Sequence, residues 1–83
     1  DMSYMFKDAT NFNKDISKWD TAAVTDMGYM FNGAKAFSGN LSKWNVPEVY
    51  KPNSCQNFCD KAGSTLQRPR FQIFLACGVP GCG

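Results

Sequence analysis

Four cysteines are the residues of this sequence best suited to covalent or metal chemistry, and all of them follow residue 54: Cys55, Cys59, Cys77 and Cys82. An even number of cysteines in so small a domain predicts two disulfides formed in an oxidising compartment. Pairing 55 with 59 and 77 with 82 would close almost no loop, so we favour 55–82 with 59–77, or 55–77 with 59–82. A four-cysteine zinc site is the alternative, although its C-x3-C and C-x4-C spacings depart from the C-x2-C knuckles of structural zinc sites.

Two further patterns contain candidate metal ligands. Thioethers in two Met-x-x-Met pairs could bind copper(I), but methionines with this periodicity are also typical of an irregular hydrophobic core, which we expect here. Asn11, Asn13 and Asp15 have the alternate spacing that begins a calcium loop, yet no glutamate completes the loop. We therefore predict neither a metal nor a cofactor. The methionine pairs are Met2 with Met5 and Met27 with Met30.

Three surface features are candidate recognition elements. Asn40-Leu41-Ser42 is an N-glycosylation sequon, which makes Asn40 a candidate glycan site if the protein is secreted by a eukaryote. Trp19 and Trp44 would form an aromatic ladder if exposed; we expect them to be buried or half-buried, with each indole N–H bonded to an acceptor. Arg68-Pro69-Arg70 places two cations in a rigid turn that either solvent or an acidic partner could meet.

Nothing in this sequence can be assembled into a catalytic site. Histidine is absent, and the seven acidic residues offer no pair of carboxylates with distinct surroundings. A net charge of +2, with scattered charges, gives no footprint for nucleic acid or for an anionic membrane. The longest apolar stretch, Phe71 to Val79, is too short to span a bilayer. We therefore predict a chain that is not an enzyme, binds no nucleic acid and has no membrane span.

The elements that must position these residues follow an internal repeat of 25 residues. Residues 1–25 and 26–50 are identical at eleven of 25 positions. Self-similarity at a fixed period is typical of stacked repeat proteins, in which a single unit cannot bury its own apolar face. The longest matches are Tyr4-Met5-Phe6 with Tyr29-Met30-Phe31 and Ser17-Lys18-Trp19 with Ser42-Lys43-Trp44.

Within each unit the spacing of apolar residues predicts a short helix and then a strand. Met27, Met30, Phe31 and Ala34 stand at i, i+3, i+4 and i+7, which places them on one face of a helix. Extended runs are predicted at residues 15–19 and 40–44, and stacking would align them as a parallel sheet. The predicted fold is therefore α/β: a short leucine-rich-repeat-like solenoid of stacked helix–strand units.

A weaker third unit follows if three extra residues are allowed. Cys55, Phe58, Cys59 and Ala62 then take the places of the four apolar residues above. We predict one solenoid domain over residues 1–83, with repeats at 1–25 and 26–50 and a degenerate third repeat with a disulfide-stapled C-terminal cap at 51–83. A last strand is predicted from the alternation of Phe71, Ile73, Leu75 and Cys77.

The repeated unit Val-Thr-Asp-Met-Gly-Tyr-Met-Phe, continued by Leu-Ser-Lys-Trp-Asn, resembles the BspA-like surface-protein repeat, a relative of the leucine-rich repeats. The resemblance covers residues 1–50 and does not extend over 51–83. It implies a surface location, usually in long arrays, and an adhesion-type role. It brings no catalytic residues with it.

Together these features predict a non-catalytic surface or secreted module for macromolecular binding, adhesion or self-assembly. The sequence begins inside a repeat, so we expect a piece of a longer precursor with an open solenoid end that binds upstream repeats, a second copy or another protein. A glycan is a further candidate partner, and the expected location is extracellular, at the cell surface or in another oxidising compartment. The alternative is a small accessory subunit that stabilises a larger assembly through several faces. The predicted interface residues are Met2, Met5, Phe6, Trp19 and Trp44.

Overall fold

Three stacked layers of backbone turns build the fold. The computed structural model describes residues 1–72 and Cys77. These residues contain no helix and no strand, and their β-structure is limited to an isolated parallel bridge between Asn40 and Gln67. The Cα radius of gyration of 11.2 Å is close to that of other small compact domains. The molecule is thus a small disulfide-containing domain, and the predicted helix–strand solenoid is wrong.

The layers meet along a stack of three turn segments, residues 1–9, 26–34 and 54–62, which we call the turn column. Backbone N–H groups at every second position of one segment donate to carbonyl oxygens of the next. Four such bonds, with N···O distances of 2.7–3.0 Å, join residues 2, 4, 6 and 8 to 26, 28, 30 and 32. Four more, of 2.6–2.9 Å, join residues 27, 29, 31 and 33 to 54, 56, 58 and 60. The pattern is as regular as a sheet ladder, although the chain between the bonds is not extended.

The helices predicted at residues 27–34 and 55–62 are absent because the backbone turns left-handed at every fourth position. Within residues 26–34, only alternate N–H groups bond inside the segment, and they do so to the third residue back. An α-helix needs negative φ at every residue and bonds to the fourth residue back. The left-handed positions, with φ between 51° and 79°, are Tyr4, Asp8, Tyr29, Gly33, Asn57 and Lys61.

Burial on the inner face of the turn column offsets this backbone strain. A left-handed conformation costs roughly 1–2 kcal/mol at a non-glycine residue. The four apolar residues of the second layer's turn segment are each completely buried, as are Cys55 and Phe58 of the third. The i, i+3, i+4, i+7 spacing therefore identifies the buried face correctly. Tight turns bring side chains back to the same side of the segment at about the same interval as a helix does.

The predicted strands at residues 15–19 and 40–44 are also absent, and with them the parallel sheet. At the start of each run an acidic or amide side chain bonds the backbone two residues ahead. The Ser17 N–H donates to Asp15 Oδ1 at 3.0 Å, and the Ser42 N–H to Asn40 Oδ1 at 3.0 Å. Such a bond bends the chain out of the extended conformation.

The last predicted strand is only partly within the described residues. Ile73 and Leu75 lie outside them, so their alternation stays a prediction. Phe71 is partly buried, and its ring meets that of Phe58 edge-on, with centroids 5.1 Å apart. Cys77 is buried in the same core.

Candidate interaction face of the first layer

The first layer repeats the side chains of the second but leaves them uncovered. Met30 is completely buried, whereas Met5, its counterpart 25 residues earlier, is 47% exposed. Trp44 is 4% exposed and Trp19 is 42% exposed. We call the surface formed by Met2, Met5, Phe6 and Trp19 the first-layer face.

Aromatic columns run through the layers and end at this face. Each column joins a first-layer ring to the ring 25 residues later, with 6–29° between the ring planes. Rings that stack with an offset at these distances add roughly 0.5–1.5 kcal/mol a pair beyond burial of their area. The centroid separations are 5.0 Å for Tyr4–Tyr29, 5.4 Å for Phe6–Phe31, 5.4 Å for Phe12–Phe37 and 6.4 Å for Trp19–Trp44.

The backbone of the first layer presents a row of hydrogen-bond acceptors. In the second layer, the carbonyl oxygens of residues 26, 28, 30 and 32 accept bonds from the first layer. Their counterparts, the carbonyl oxygens of residues 1, 3, 5 and 7, receive no backbone N–H from any described residue. We call these four groups the open carbonyl row. Surface backbone of this kind is a ready template for pairing with another chain.

The two tryptophans occupy equivalent positions but differ in their hydrogen bonding. The Trp44 indole N–H donates to the carbonyl oxygen of Ile16 in the preceding layer, at 3.0 Å. None of the hydrogen bonds among the described residues engages the indole N–H of Trp19.

Two charged side chains of the first turn segment form a local pair. Lys7 Nζ lies 2.9 Å from Asp8 Oδ2, and the hydrogen bond to Asp8, reinforced by its charge, raises the pKa of Lys7. An exposed pair of this kind contributes little to stability. The first-layer face itself is therefore apolar and acceptor-bearing rather than charged.

The structure confirms one of the predicted disulfides, Cys55–Cys77, with Cα atoms 4.8 Å apart. Cys59 is also disulfide-bonded, and Cys82 lies outside the described residues. The pairing of 55–82 with 59–77 is thereby excluded. The Cys55–Cys77 bond also takes two of the four sulfurs that a zinc site would need, and no cluster of three metal-ligating side chains occurs among the described residues.

The other candidate ligands serve structural roles. Met27 and Met30 are completely buried in the core, so their thioethers do not form a site on the surface. Asn13 Oδ1 accepts the backbone N–H of Ser38 at 3.3 Å, which ties the first layer to the second. Both the hydroxyl and the N–H of Ser17 donate to Asp15 Oδ1.

Asn40 is exposed, and its carboxamide forms a local turn. The Ser42 hydroxyl donates to Asn40 Oδ1 at 2.6 Å, and the corresponding bond from Ser17 to Asp15 is 2.7 Å. The residue types of the sequon are thus those that this turn needs, whether or not Asn40 carries a glycan. In the first layer, the Ser17 N–H and then its hydroxyl hold the pKa of Asp15 below its usual value.

Sequence reasoning missed the role of Tyr4 and Tyr29, which are left-handed and stack on each other with their rings 6° from parallel. Tyr4 is 56% exposed. The tyrosines themselves carry no signal for this conformation. A signal lies in the third layer, where Asn57 is equivalent to the two tyrosines and is a residue type that tolerates positive φ.

A family model described as "Mycoplasma protein of unknown function, DUF285" matches residues 1–68. The chain belongs to the DUF285 family. DUF285 is a repeat family found in BspA-like surface proteins, and its match runs past residue 50 through the third turn segment. Comparisons of this DUF285 chain with curated proteins and with solved structures each found no match. Among the described residues, no helix has the length and apolar character required to cross a membrane.

Proposed function

We propose that this chain is a non-catalytic repeat module of a BspA-like surface or secreted protein, and that its first-layer face binds another coil of the same repeat. The coil belongs either to preceding repeats of the same protein or to a second copy of this chain. Its turn segment donates N–H groups to the open carbonyl row, and its side chains cover Met5 and Trp19. Adhesion or assembly at the cell surface is the role that such a stack serves.

The observation that carries this proposal is the contrast between equivalent residues in the first two layers. In the second layer, Met30 and Trp44 are buried, the carbonyl groups of the turn segment accept hydrogen bonds and the Trp44 indole donates one. In the first layer, Met5 and Trp19 are exposed, and the equivalent carbonyl and indole groups have no such bonds among the described residues. A surface with that pattern of apolar groups and acceptors matches the opposite side of its own repeat. Repeat proteins gain much of their stability from such interfaces between neighbouring units.

An extracellular or surface location is supported by two independent features. Disulfides such as Cys55–Cys77 persist in oxidising compartments. Membership of a repeat family that occurs in surface proteins points the same way. Nothing in either feature calls for catalysis, and we infer that the module acts by binding alone.

Adding a repeat tests the proposal directly. We would place a copy of residues 26–50 before Asp1 and measure urea unfolding of the extended and original chains. A coil that docks on the first-layer face should raise both the unfolding midpoint and the m-value, because a larger surface becomes exposed in one transition. An unchanged midpoint, with the added segment unfolding separately, would contradict the proposal.

Substitution of Met5 shows whether that coil covers the intended surface. Met5→Glu should cost little in the original chain, where Met5 is 47% exposed, and roughly 2–4 kcal/mol in the extended chain, where it would bury a charge. Tyr50→Glu is the matched control, because Tyr50 is 51% exposed and lies in the second repeat. Equal costs in both chains would mean that the added coil docks elsewhere, as an accessory subunit with contacts over several faces would allow.

A further inference from the structure

A cationic groove lies between the second layer and the segment that follows residue 68. Its volume is about 370 Å³, and its walls carry the charged side chains Lys43 and Arg70. Residues lining it include Ser42, Asn45 and Gln72, and none of the lining residues that the structure describes is acidic. We call it the Lys43–Arg70 groove. It is remote in sequence from the first-layer face, and the proposed docking of repeats does not use it.

Neither cation of the groove has a carboxylate partner among the residues that the structure describes. Among the described residues the ion pairs are limited to Lys7 with Asp8, so Lys43 and Arg70 have no carboxylate partner there. Lys43 and Arg70 both line this cleft and no described lining residue is acidic, a combination that favours a bound anion. An arginine guanidinium in addition matches a carboxylate with two parallel hydrogen bonds.

Two residues that line the groove, Asn45 and Trp44, are held in place by hydrogen bonds to the first layer. The buried Thr21 hydroxyl donates to the carbonyl oxygen of Asn45 at 2.7 Å. Trp44, which also lines the groove, is anchored through its indole N–H to the carbonyl oxygen of Ile16. Because these lining residues are already held in place, less entropy is lost when a small ligand binds.

Neutral polar groups beside the cations can form hydrogen bonds with the hydroxyl groups of a ligand. The Ser42 hydroxyl already donates its proton to Asn40 Oδ1, so its lone pairs remain to accept a hydrogen bond. The side-chain amides of Asn45 and Gln72 can both donate and accept. Two cations match one carboxylate, whereas a polyacidic peptide would need more positive charge.

We propose that the Lys43–Arg70 groove binds a carboxylated sugar, such as a uronic acid unit of an acidic polysaccharide, with Arg70 and Lys43 on the carboxylate and Ser42, Asn45 and Gln72 on the hydroxyls. The first repeat lacks this groove chemistry, since Asp20 replaces Asn45 there and supplies a negative charge. Lys18, the counterpart of Lys43, is therefore a matched control within the same chain.

The test is an NMR titration of the full chain with D-glucuronate. Glucuronate should shift the amide signals of residues 42–45 and 70, and Lys43→Gln or Arg70→Gln should each weaken binding about tenfold or more, the scale of a lost hydrogen bond to a charged group. Lys18→Gln should leave the dissociation constant unchanged. All three positions are exposed, and the remaining amide spectrum of each variant reports whether the fold is intact.

Three probes separate the sugar from simpler ligands. Acetate carries the carboxylate alone, glucose the hydroxyls alone, and inorganic phosphate a different anion. Each should bind at least tenfold more weakly than glucuronate. If acetate or phosphate bound as tightly as glucuronate, the groove would be a general anion site and the proposed sugar specificity would be wrong. If glucose bound as tightly, the cations would have no role in binding. An absence of shifts with glucuronate would overturn the proposal.

Discussion

Asp15 and Asn40 perform one local task with two different side chains. Each accepts the N–H and the hydroxyl of the serine two residues later, with nearly equal distances. Asp1 does the same for Ser3, at 2.8 and 2.7 Å. An ionised carboxylate is a stronger acceptor than an amide, but only the carboxylate makes the turn sensitive to pH.

The pKa of Asp15 should be below its ordinary value in an NMR titration, chiefly because of the Ser17 N–H. The folded chain then binds this proton less tightly than the unfolded chain does. The stabilisation from Asp15 is therefore present at neutral pH and is lost as pH falls through the lowered pKa. Ser17→Ala should raise the pKa part of the way back. Asp15→Asn should abolish this pH dependence while keeping the turn. If the Ser17→Ala chain is folded and the pKa of Asp15 is unchanged, the Ser17 hydroxyl is excluded as a cause of the lowered pKa.

Gly63 is required by a close backbone approach. Its N–H donates to the carbonyl oxygen of Phe37 at 3.0 Å, and a Cβ on Gly63 would collide with that oxygen. Gly63→Ala should cost about 1–3 kcal/mol in urea unfolding. Gly28→Ala is the control, since the nearest atom to its Cβ would be Asp26 Oδ1 at 3.3 Å and the other repeats carry larger residues at this position. Comparable losses in the two variants would argue against the steric explanation.

At the scale of elements, the turn column shows how far the sequence alone could lead. The period of 25, with three extra residues before the third unit, aligns Met27 with Cys55, and the N–H of Met27 bonds the carbonyl oxygen of the neighbouring Ser54. The element type is wrong because apolar spacing reports only which side is buried. Whether successive N–H groups bond within a segment or to the next layer depends on φ, and Tyr29 gives no local sign of its left-handed backbone.

The Phe31 ring contacts aromatic rings from all three layers. These rings belong to Phe6, Phe37, Trp44 and Phe58, at centroid distances of 4.5–6.4 Å. Phe31→Ala should cost roughly 3–5 kcal/mol in unfolding free energy, enough to unfold a marginal domain. Phe31→Leu keeps most of the volume and should cost less, which preserves a measurable transition.

The control for Phe31 is Tyr50, which is 51% exposed. Tyr50→Ala should change the unfolding free energy by less than about 0.5 kcal/mol. A cost for Phe31→Leu no larger than that of Tyr50→Ala would show that ring stacking contributes nothing beyond volume.

At the scale of the whole molecule, stability depends on a core of modest size and on sulfur cross-links. A chain of 83 residues buries roughly 60% of the surface that its unfolded form exposes, which leaves little margin. The Cys55–Cys77 bond spans 22 residues and ties the third turn segment to the chain beyond Phe71. Because of this position, reduction of the disulfide should lower the local stability of the third layer before that of the other layers.

Replacing Cys55 and Cys77 together by serine should lower the unfolding free energy by about 3 kcal/mol, the loop-closure entropy of a bridge of this length. Amide hydrogen exchange should accelerate more in residues 54–62 than in residues 1–9, because only the former segment carries the cross-link. Uniform acceleration across both segments would indicate that the three layers unfold as one cooperative unit and that the bridge has no local effect.

The open carbonyl row gives the stack a direction. Two copies related by a two-fold axis would bring oxygen against oxygen along this row, which repels, so a closed symmetric dimer cannot form through it. If further repeats dock on this row, as we propose, they must add head to tail, with the amide hydrogens of each added unit bonded to the oxygens already displayed. Symmetry sets no limit on such a series, so its length would follow from the number of repeats that are joined.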